Sequence, residues 1–443
     1  MRFLLISGAG DGLGLALRLR MDGHEVATWI RESRSKDNYA GLLHRIPNGW
    51  EKWLTPETVV IFDSTGGGRT AERLKARGVP VFAGSQFADE LELDRDVAYE
   101  IMREVGIKTP HSETFTSWDE GKAYVRKSGK RLAFKPSGAL GGDVGSYVAY
   151  DTEDMLEMLD VMAERTKQKP EFELQDFVKG VCISSEGWFN GVEFMTPFNH
   201  TLERKQLMNQ DLGPSGGCAG NIVWQCGLGT LCTAQGIQRM ERILAHHEYV
   251  GPIDLNAVVN DEGVWGLEFT PRFGYDAMPA FLELVEGDLG AVIASMARRE
   301  HPKSFAVRHG FAGAVRVSVT PYPNEKFPAD EGMPVRGLTR EDRAHTYMYD
   351  LALNDKNRLV TTKAHGLVAV FTGHGDTIPG AMKGPYEMAE RLRVGGKQYR
   401  TDLTGLFMDE FDQVGPWTKE GVVDGSVSRQ ALHPADPVRI VPD

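Results

Sequence analysis

Side chains able to do chemistry recur at alternate positions in one short stretch, GLEFTPRFG (266–274), which carries Glu268, Thr270 and Arg272. Residues two apart on a strand project to the same side, so the stretch reads as a core strand with a polar stripe. Asp254, in GPIDLNAVV, lies upstream of Glu268 with the turn NDEG between them. A hairpin of that length brings the two carboxylates to one place, where they repel unless a cation shares them. Mg²⁺ suits such a pair, since it takes one or two carboxylates and completes its shell with phosphate oxygens. The structural alternative is that Asp254 caps a turn while Glu268 pairs with Arg272.

Two further groups suit anionic ligands. Lys135 ends the apolar run RLAFKP and precedes Gly138, Gly141, Gly142 and Gly145, so its charge would sit beneath a flexible lid of backbone donors. Near the start, GAGDGLG supplies Gly8, Gly10, Gly12 and Gly14, with Leu13 where a dinucleotide fingerprint needs glycine. A strand, a glycine loop and a helix form a phosphate cradle. A tight turn without ligand, or an NAD site using Glu32 for the ribose, stays open here. The segment ERKQLMNQDLGPSGGCAG (203–220) gathers Arg204, Lys205 and Asp211 beside Gly213, Gly216 and Gly217 with no evident regular structure. Long polar loops inside compact domains are usually functional.

These groups need a scaffold. Residues 1–110 alternate short apolar runs (2–7, 25–30, 58–63, 79–84) with helical patterns (13–22, 69–77, 88–105). That alternation implies a doubly wound α/β domain. From 111 to 322 strands dominate: 131–150 reads as strand, glycine loop, strand, followed by a helix at 153–167 and a strand in 172–180. A helix at about 233–247 and strands at 253–259 and 264–269 complete it. The chain is expected to be α/β, with an α+β central part. Its expected domains are 1–110, 111–322 with a lid subdomain at about 113–180, and a small α/β domain at 323–425. That last domain has scattered strands and a helix near 380–392; a loose tail follows at 426–443.

Composition narrows the class. With 443 residues the chain is long enough for two or three domains, and its net charge of -12 argues against general affinity for nucleic acid or anionic membrane. The start MRFLLISGAG reads as a first strand, not a signal peptide, and no apolar run is long enough for a membrane span. Cys182, Cys218, Cys226 and Cys232 lack CxxC spacing, which fits a reducing, cytoplasmic setting without zinc or disulfides.

Taken in order, these motifs resemble the ATP-grasp ligases, and within them the glycinamide ribonucleotide synthetases, over nearly the whole chain. ELELDRDVAYEIMREVGIKTP, AFKPSGALGGDVG, ELQDFVKG, ERKQLMNQDLGPSGG and LEFTPRFG carry the likeness, with VTPYP and GKQYRTDL toward the C-terminus. The resemblance implies that Arg95, Lys135, Gly141 and Gly142 hold ATP phosphates. It implies that the backbone of Gln175, Asp176, Phe177 and Val178 receives adenine, with Glu186 as the substitute ribose ligand because Val181-Cys182 replaces an acidic pair. Asp254, Glu268 and Thr270 would hold Mg²⁺ (or Mn²⁺), Thr270 standing for an asparagine. Gly8, Gly10, Arg204, Lys205, Asp211, Gly213, Gly216 and Gly217 would shape the second-substrate site, and Arg272 and Lys135 would be catalytic.

The implied activity is that of an ATP-dependent carbon–nitrogen ligase. A small carboxylate, glycine or another amino acid, is phosphorylated and then joined to an amine-bearing acceptor that the family makes a nucleotide precursor. A true phosphoribosylamine–glycine ligase of purine biosynthesis and a non-catalytic nucleotide-binding module stand as alternatives. Departures concentrate in the first glycine loop, where Asp11-Gly12-Leu13 replaces Arg-Glu-His, and after Phe273, where Tyr275-Asp276-Ala277 replaces Asp-Pro-Glu. No membrane or nucleic-acid partner is expected, and the enzyme would be a monomer or homodimer.

Overall fold

The N-terminal apolar runs are buried on both faces, as parallel strands under helical cover must be. The computed structural model describes residues 1–137, 145–166, 169–324 and 326–419. Strands β1 (Arg2–Ser7), β2 (Glu25–Ile30), β3 (His44–Arg45), β4 (Thr58–Phe62) and β5 (Val81–Phe82) form a parallel sheet in the order β3-β2-β1-β4-β5. The two-residue β3 was not expected. Strand order reverses at β1, so the crevice beyond the carboxyl ends of β1, β2 and β4 is the natural ligand position.

The expected helix over 88–105 is two helices, Gln86–Leu93 and Arg95–Glu104. They part at Asp94, whose side chain caps the second by accepting from Val97 N at 3.2 Å. A four-stranded sheet follows, built of β6 (Ser112–Phe115), β7 (Leu132–Pro136), β8 (Tyr147–Val148) and β9 (Phe172–Asp176) in the order β6-β9-β7-β8. Its apolar face packs on the helices Trp118–Ser128 and Thr152–Arg165 around Leu132, Phe134, Phe172 and Leu174. The lid glycines Gly141 and Gly142 lie outside the described residues, as does the expected tail.

The largest sheet contains β10 (Val181–Asn190), β11 (Phe198–Met208), β12 (Leu212–Cys226), β13 (Val250–Asn260), β14 (Gly263–Thr270) and β15 (Phe311–Ser318). Beyond them come β16 (Thr346–Met348), the small pair β17 (Leu351–Leu353) and β18 (Leu359–Thr361), and β19 (Leu367–Gly375). The order is β14-β13-β10-β11-β12-β15-β19-β16, so the segment after 322 shares this sheet with the central strands.

Three expectations are corrected here. Residues 203–220 are not an irregular loop but the arms and tip of the β11–β12 hairpin, Glu203 facing Asn221 and Met208 facing Leu212. The helix over 233–247 is broken at Gly236, where a side chain would strike the Cys232 carbonyl oxygen at 2.6 Å. Three short pieces stand there instead, Leu231–Gln235, Ile237–Met240 and Glu241–His246. The helices Ala277–Leu284, Leu289–Ala297 and Leu403–Thr418 were unforeseen. The first two are strongly apolar along their length, and a short apolar run does not by itself separate helix from strand.

Candidate active site

The hairpin β13–β14 sets Asp254 opposite Thr270 and Asn256 opposite Glu268. A bulge at Leu267 leaves Glu268 and Thr270 on the same side of the strand. Asn256 Nδ2 donates to Asp254 Oδ2 at 3.2 Å and to Thr270 Oγ1 at 3.4 Å. Asp254 Oδ1 is buried without a partner among the described residues. Burial, with Glu186, Glu203 and Glu268 nearby, drives the Asp254 carboxyl well above the usual carboxylate range. Among the described residues no three His, Cys, Asp or Glu side chains close on a common point. A buried carboxylate with an unspent oxygen, beside further acids, fits a dication that draws its remaining ligands from phosphate and water.

Sequence reasoning missed Asn256 and Glu203. Asn256 follows Asp254 at the same two-residue spacing that exposed Glu268 and Thr270, so the signal was present. Glu268 does not pair with Arg272; Lys205 Nζ lies 3.9 Å from Glu268 Oε1 and 3.2 Å from Glu203 Oε1. Lys205 therefore belongs with the acidic group rather than with the second-substrate cavity.

Glu186 is corrected as a ribose ligand. It is 4% exposed, faces Asp254 across β10–β13, and accepts from Trp188 Nε1 at 3.0 Å and Asn199 Nδ2 at 3.2 Å. Burial pushes its carboxyl up to about 7.

Lys135, near the end of β7, has no ion pair among the described residues, and burial pulls its ammonium below the usual range against the opposing pull of Glu268. Arg95, Glu173 and Lys205 also act on it. Glu173 stands opposite Lys135 on β9 and pairs with Arg95 at 3.4 Å. The two sheets and the helix Arg95–Glu104 thus set Lys135, Lys205 and Arg95 within electrostatic reach of one another and of Glu268. Gln175 to Val178 lead from β9 toward β10. Gln175 is buried and donates to Tyr99 Oη. The Asp176 and Phe177 N–H groups donate to His111 and Arg131 carbonyls at 2.8 and 3.1 Å.

A cavity of about 720 Å³ opens beyond Arg272, at the crevice of the parallel sheet. Gly8, Gly10, Asp11, Gly216, Gly217, Arg272 and Tyr275 are among its walls. The first loop is corrected as an anion cradle. Gly8 N and Gly12 N donate to Asp63 Oδ1 and Oδ2 at 3.1 and 2.8 Å, and Gly10 N donates to Ser7 Oγ at 2.7 Å. The chain's own fully buried carboxylate fills the place a phosphate would take. Gly12 has to be glycine, because a Cβ would meet Asp63 Cβ at 2.6 Å.

Arg272 is anchored by an ion pair. Its Nε and Nη2 donate to Glu92 at 3.0 and 2.7 Å. Arg204 and Asp211 do not line the cavity. They pair with each other at 3.0 Å, Arg204 also meets Glu410 at 2.8 Å, and Arg400 meets Asp211 at 2.6 Å. This network fastens the hairpin tip, where Gln210 and Asp211 adopt positive φ and Gly213 follows, to the C-terminal segment. In the departing segment after Phe273, the fully buried Asp276 accepts from Arg316 Nε at 2.6 Å.

The sequence model described as the phosphoribosylglycinamide synthetase ATP-grasp (A) domain matches residues 94–276, the span that holds both the Lys135 sheet and the acidic hairpin. The chain is an ATP-grasp ligase resembling glycinamide ribonucleotide synthetase. Phosphoribosylamine–glycine ligase of Halalkalibacterium halodurans is 24% identical over 341 residues, 75% of this chain and 78% of the relative. The ligase of that name from Thermotoga maritima superposes with a TM-score of 0.68 at 23% identity, over 90% of this chain and 99% of its own. The biotin carboxylase domain of Hydrogenobacter thermophilus 2-oxoglutarate carboxylase, solved with MgADP and bicarbonate, gives a TM-score of 0.61 at 13% identity, over 94% and 96%. At these identities the structural likenesses establish the fold alone. Among the described residues no helix of this ligase is long and apolar enough to cross a membrane.

Proposed function

We propose that this ATP-grasp ligase phosphorylates an amino-acid carboxylate, glycine or a relative of it, and joins the acyl phosphate to an amine held in the cavity beyond Arg272. The observation that carries the reading is the short chain segment from β14 to the cavity wall. Glu268 and Thr270 share a face with the uncompensated Asp254, and Arg272, two residues beyond the end of β14, lines the cavity. Mg²⁺, when bound, neutralises phosphate charge and orients the transferring group. Asp254, Glu268 and Thr270 are the residues that would hold it, with Asn256 fixing their geometry.

Lys135 and Arg95 bind phosphate oxygens in this reading, and Lys205 adds charge from the opposite sheet. The Val178 N–H, which makes no hydrogen bond among the described residues, offers the adenine edge a donor. Arg272, held in place by Glu92 and by donation from Nη1 to the Phe273 carbonyl at 3.0 Å, presents its charge at the passage between the phosphoryl site and the cavity. Positioning and charge neutralisation suffice for such transfer, so no covalent protein nucleophile is needed.

The test is ADP release and hydroxylamine trapping with ATP, Mg²⁺ and a panel of amino acids. Hydroxamate from one carboxylate is the expected result; ADP release that no carboxylate stimulates overturns the reading. The names of the curated relatives favour a second reading, in which glycine and phosphoribosylamine are the substrates. Stimulation by that pair above all others would establish it.

A further inference from the structure

The cavity's charged walls are almost entirely spent. Asp63 is saturated by the first loop, and Asp350 accepts from Asn38 Nδ2 at 2.8 Å and from the His365, Gly366 and Leu367 amides at 2.9, 2.9 and 3.0 Å. Glu92 holds Arg272, and Glu32 accepts from Ser35 Oγ at 2.9 Å and meets His365 at 3.0 Å. The cations are spent as well. Arg316 is on Asp276, and Arg31 donates to the Gly66 and Thr65 carbonyls at 3.0 and 3.5 Å.

Two ionisable side chains of the lining, Asp11 and Tyr275, make no hydrogen bond or ion pair among the described residues. The Tyr275 hydroxyl is buried without a partner among the described residues, packed so closely on the loop that a Cβ at Gly12 would meet it at 2.9 Å. A cavity whose unpaired ionisable groups, among the described residues, are one carboxyl and one phenol, with its anion cradle filled from within, suits a cation.

We propose that Asp11 binds the ammonium group of the second substrate and takes its proton, and that this substrate places no phosphate on the first glycine loop. The proposal rests on the ligase reading above. Asp11 takes one proton from the ammonium, and the free amine attacks the acyl carbon. The C–N bond forms, the C–O bond to phosphate breaks with its electron pair, and the remaining surplus N–H proton leaves on hydrogen phosphate. Asp11 returns its proton to solvent.

The groups facing Asp11 support this role. Burial, then Asp63, raise its carboxyl to about 7, with Arg272 and Arg316 opposing and Asp350 adding to the rise. Tyr275 and Tyr349 complete the surroundings. A carboxyl poised there both accepts and releases a proton near neutrality.

The experiment uses the full chain with ATP, Mg²⁺ and the carboxylate that supports hydroxamate formation, adding ethylammonium or ribose 5-phosphate as probes of the cavity. Ethylammonium should suppress hydroxamate, by competition or by diverting the acyl group to amide, more strongly at pH 8 than at pH 6. Ribose 5-phosphate should not suppress it. Asp11→Asn should raise the ethylammonium concentration for half-suppression roughly tenfold, and Asp11→Glu should recover part of that loss. Suppression by ribose 5-phosphate, or no suppression of the wild type by ethylammonium, overturns the proposal whether or not the variants fold. So does suppression that Asp11→Asn leaves intact. Absence of hydroxamate with every carboxylate instead overturns the ligase reading itself.

Discussion

Arg272 and Glu92 form a two-point ion pair across 180 residues of chain, with Nε and Nη2 at 3.0 and 2.7 Å from Oε1. The pair joins the strand end that follows the acidic hairpin to the helix Gln86–Leu93 of the N-terminal unit. Each side chain is more than two-thirds buried, so removing one partner strands the other. In a double-mutant cycle of Glu92→Ala and Arg272→Ala, read by urea unfolding, a coupling of about 1–3 kcal/mol is expected. A coupling of zero contradicts the pairing. Arg272→Ala should also lower kcat, because the charge at the passage is lost.

Asp254 separates stability from activity. Its unpartnered Oδ1 and acidic neighbours make an ionised carboxylate unfavourable in the free protein. Asp254→Asn should therefore raise the melting temperature without nucleotide while reducing ADP release by at least about 100-fold. A variant both destabilised and active would remove Asp254 from the proposed metal set. Glu268→Ala should reduce turnover similarly with little change in melting temperature, since Glu268 is more than half exposed.

The parallel strands and the acidic stripe were legible because each depends on local order: apolar runs ending in glycine, and polar residues at a two-residue period. Asn256 obeys the same period and needed only the strand to be read one step further. The fates of Gly8, Arg204 and Arg272 were not legible. Whether an amide or guanidinium is free depends on partners such as Asp63, Glu410 and Glu92 that no local pattern places. The hairpin over 203–220 was hidden because glycines and mixed charges disguise strands held by register rather than by apolar alternation.

His200 is fully buried, with Nδ1 2.9 Å from Ser185 Oγ and Nε2 3.1 Å from Thr230 Oγ1. Burial lowers its pKa from the ordinary 6.5 to about 3. Below pH 6.5 the unfolded chain binds a proton that the folded chain refuses, so stability falls as the pH drops toward 3. The slope is about 1.4 kcal/mol per pH unit for this group. Unfolding free energies of wild type and His200→Gln measured between pH 7 and pH 5 should therefore converge on acidification. A constant difference would mean that His200 is not held neutral.

Arg400 fastens the tip of the β11–β12 hairpin, and its side chain is fully buried between Asp211 at 2.6 Å and Asp402 at 2.8 Å. Asp211 itself holds a left-handed backbone with φ of 55°, which a non-glycine residue adopts only under local restraint. Removing the guanidinium leaves two carboxylates facing a void. Arg400→Ala should cost about 3 kcal/mol in urea unfolding, the lower end for a broken buried pair because both aspartates keep some solvent contact. Arg400→Lys should restore only part of this, since one ammonium cannot serve both carboxylates in the fork geometry. Gly216, on the β12 arm of the same hairpin, lines the cavity. A loosened tip should therefore also raise the KM for the amine; an unchanged KM would show that the clamp serves stability alone.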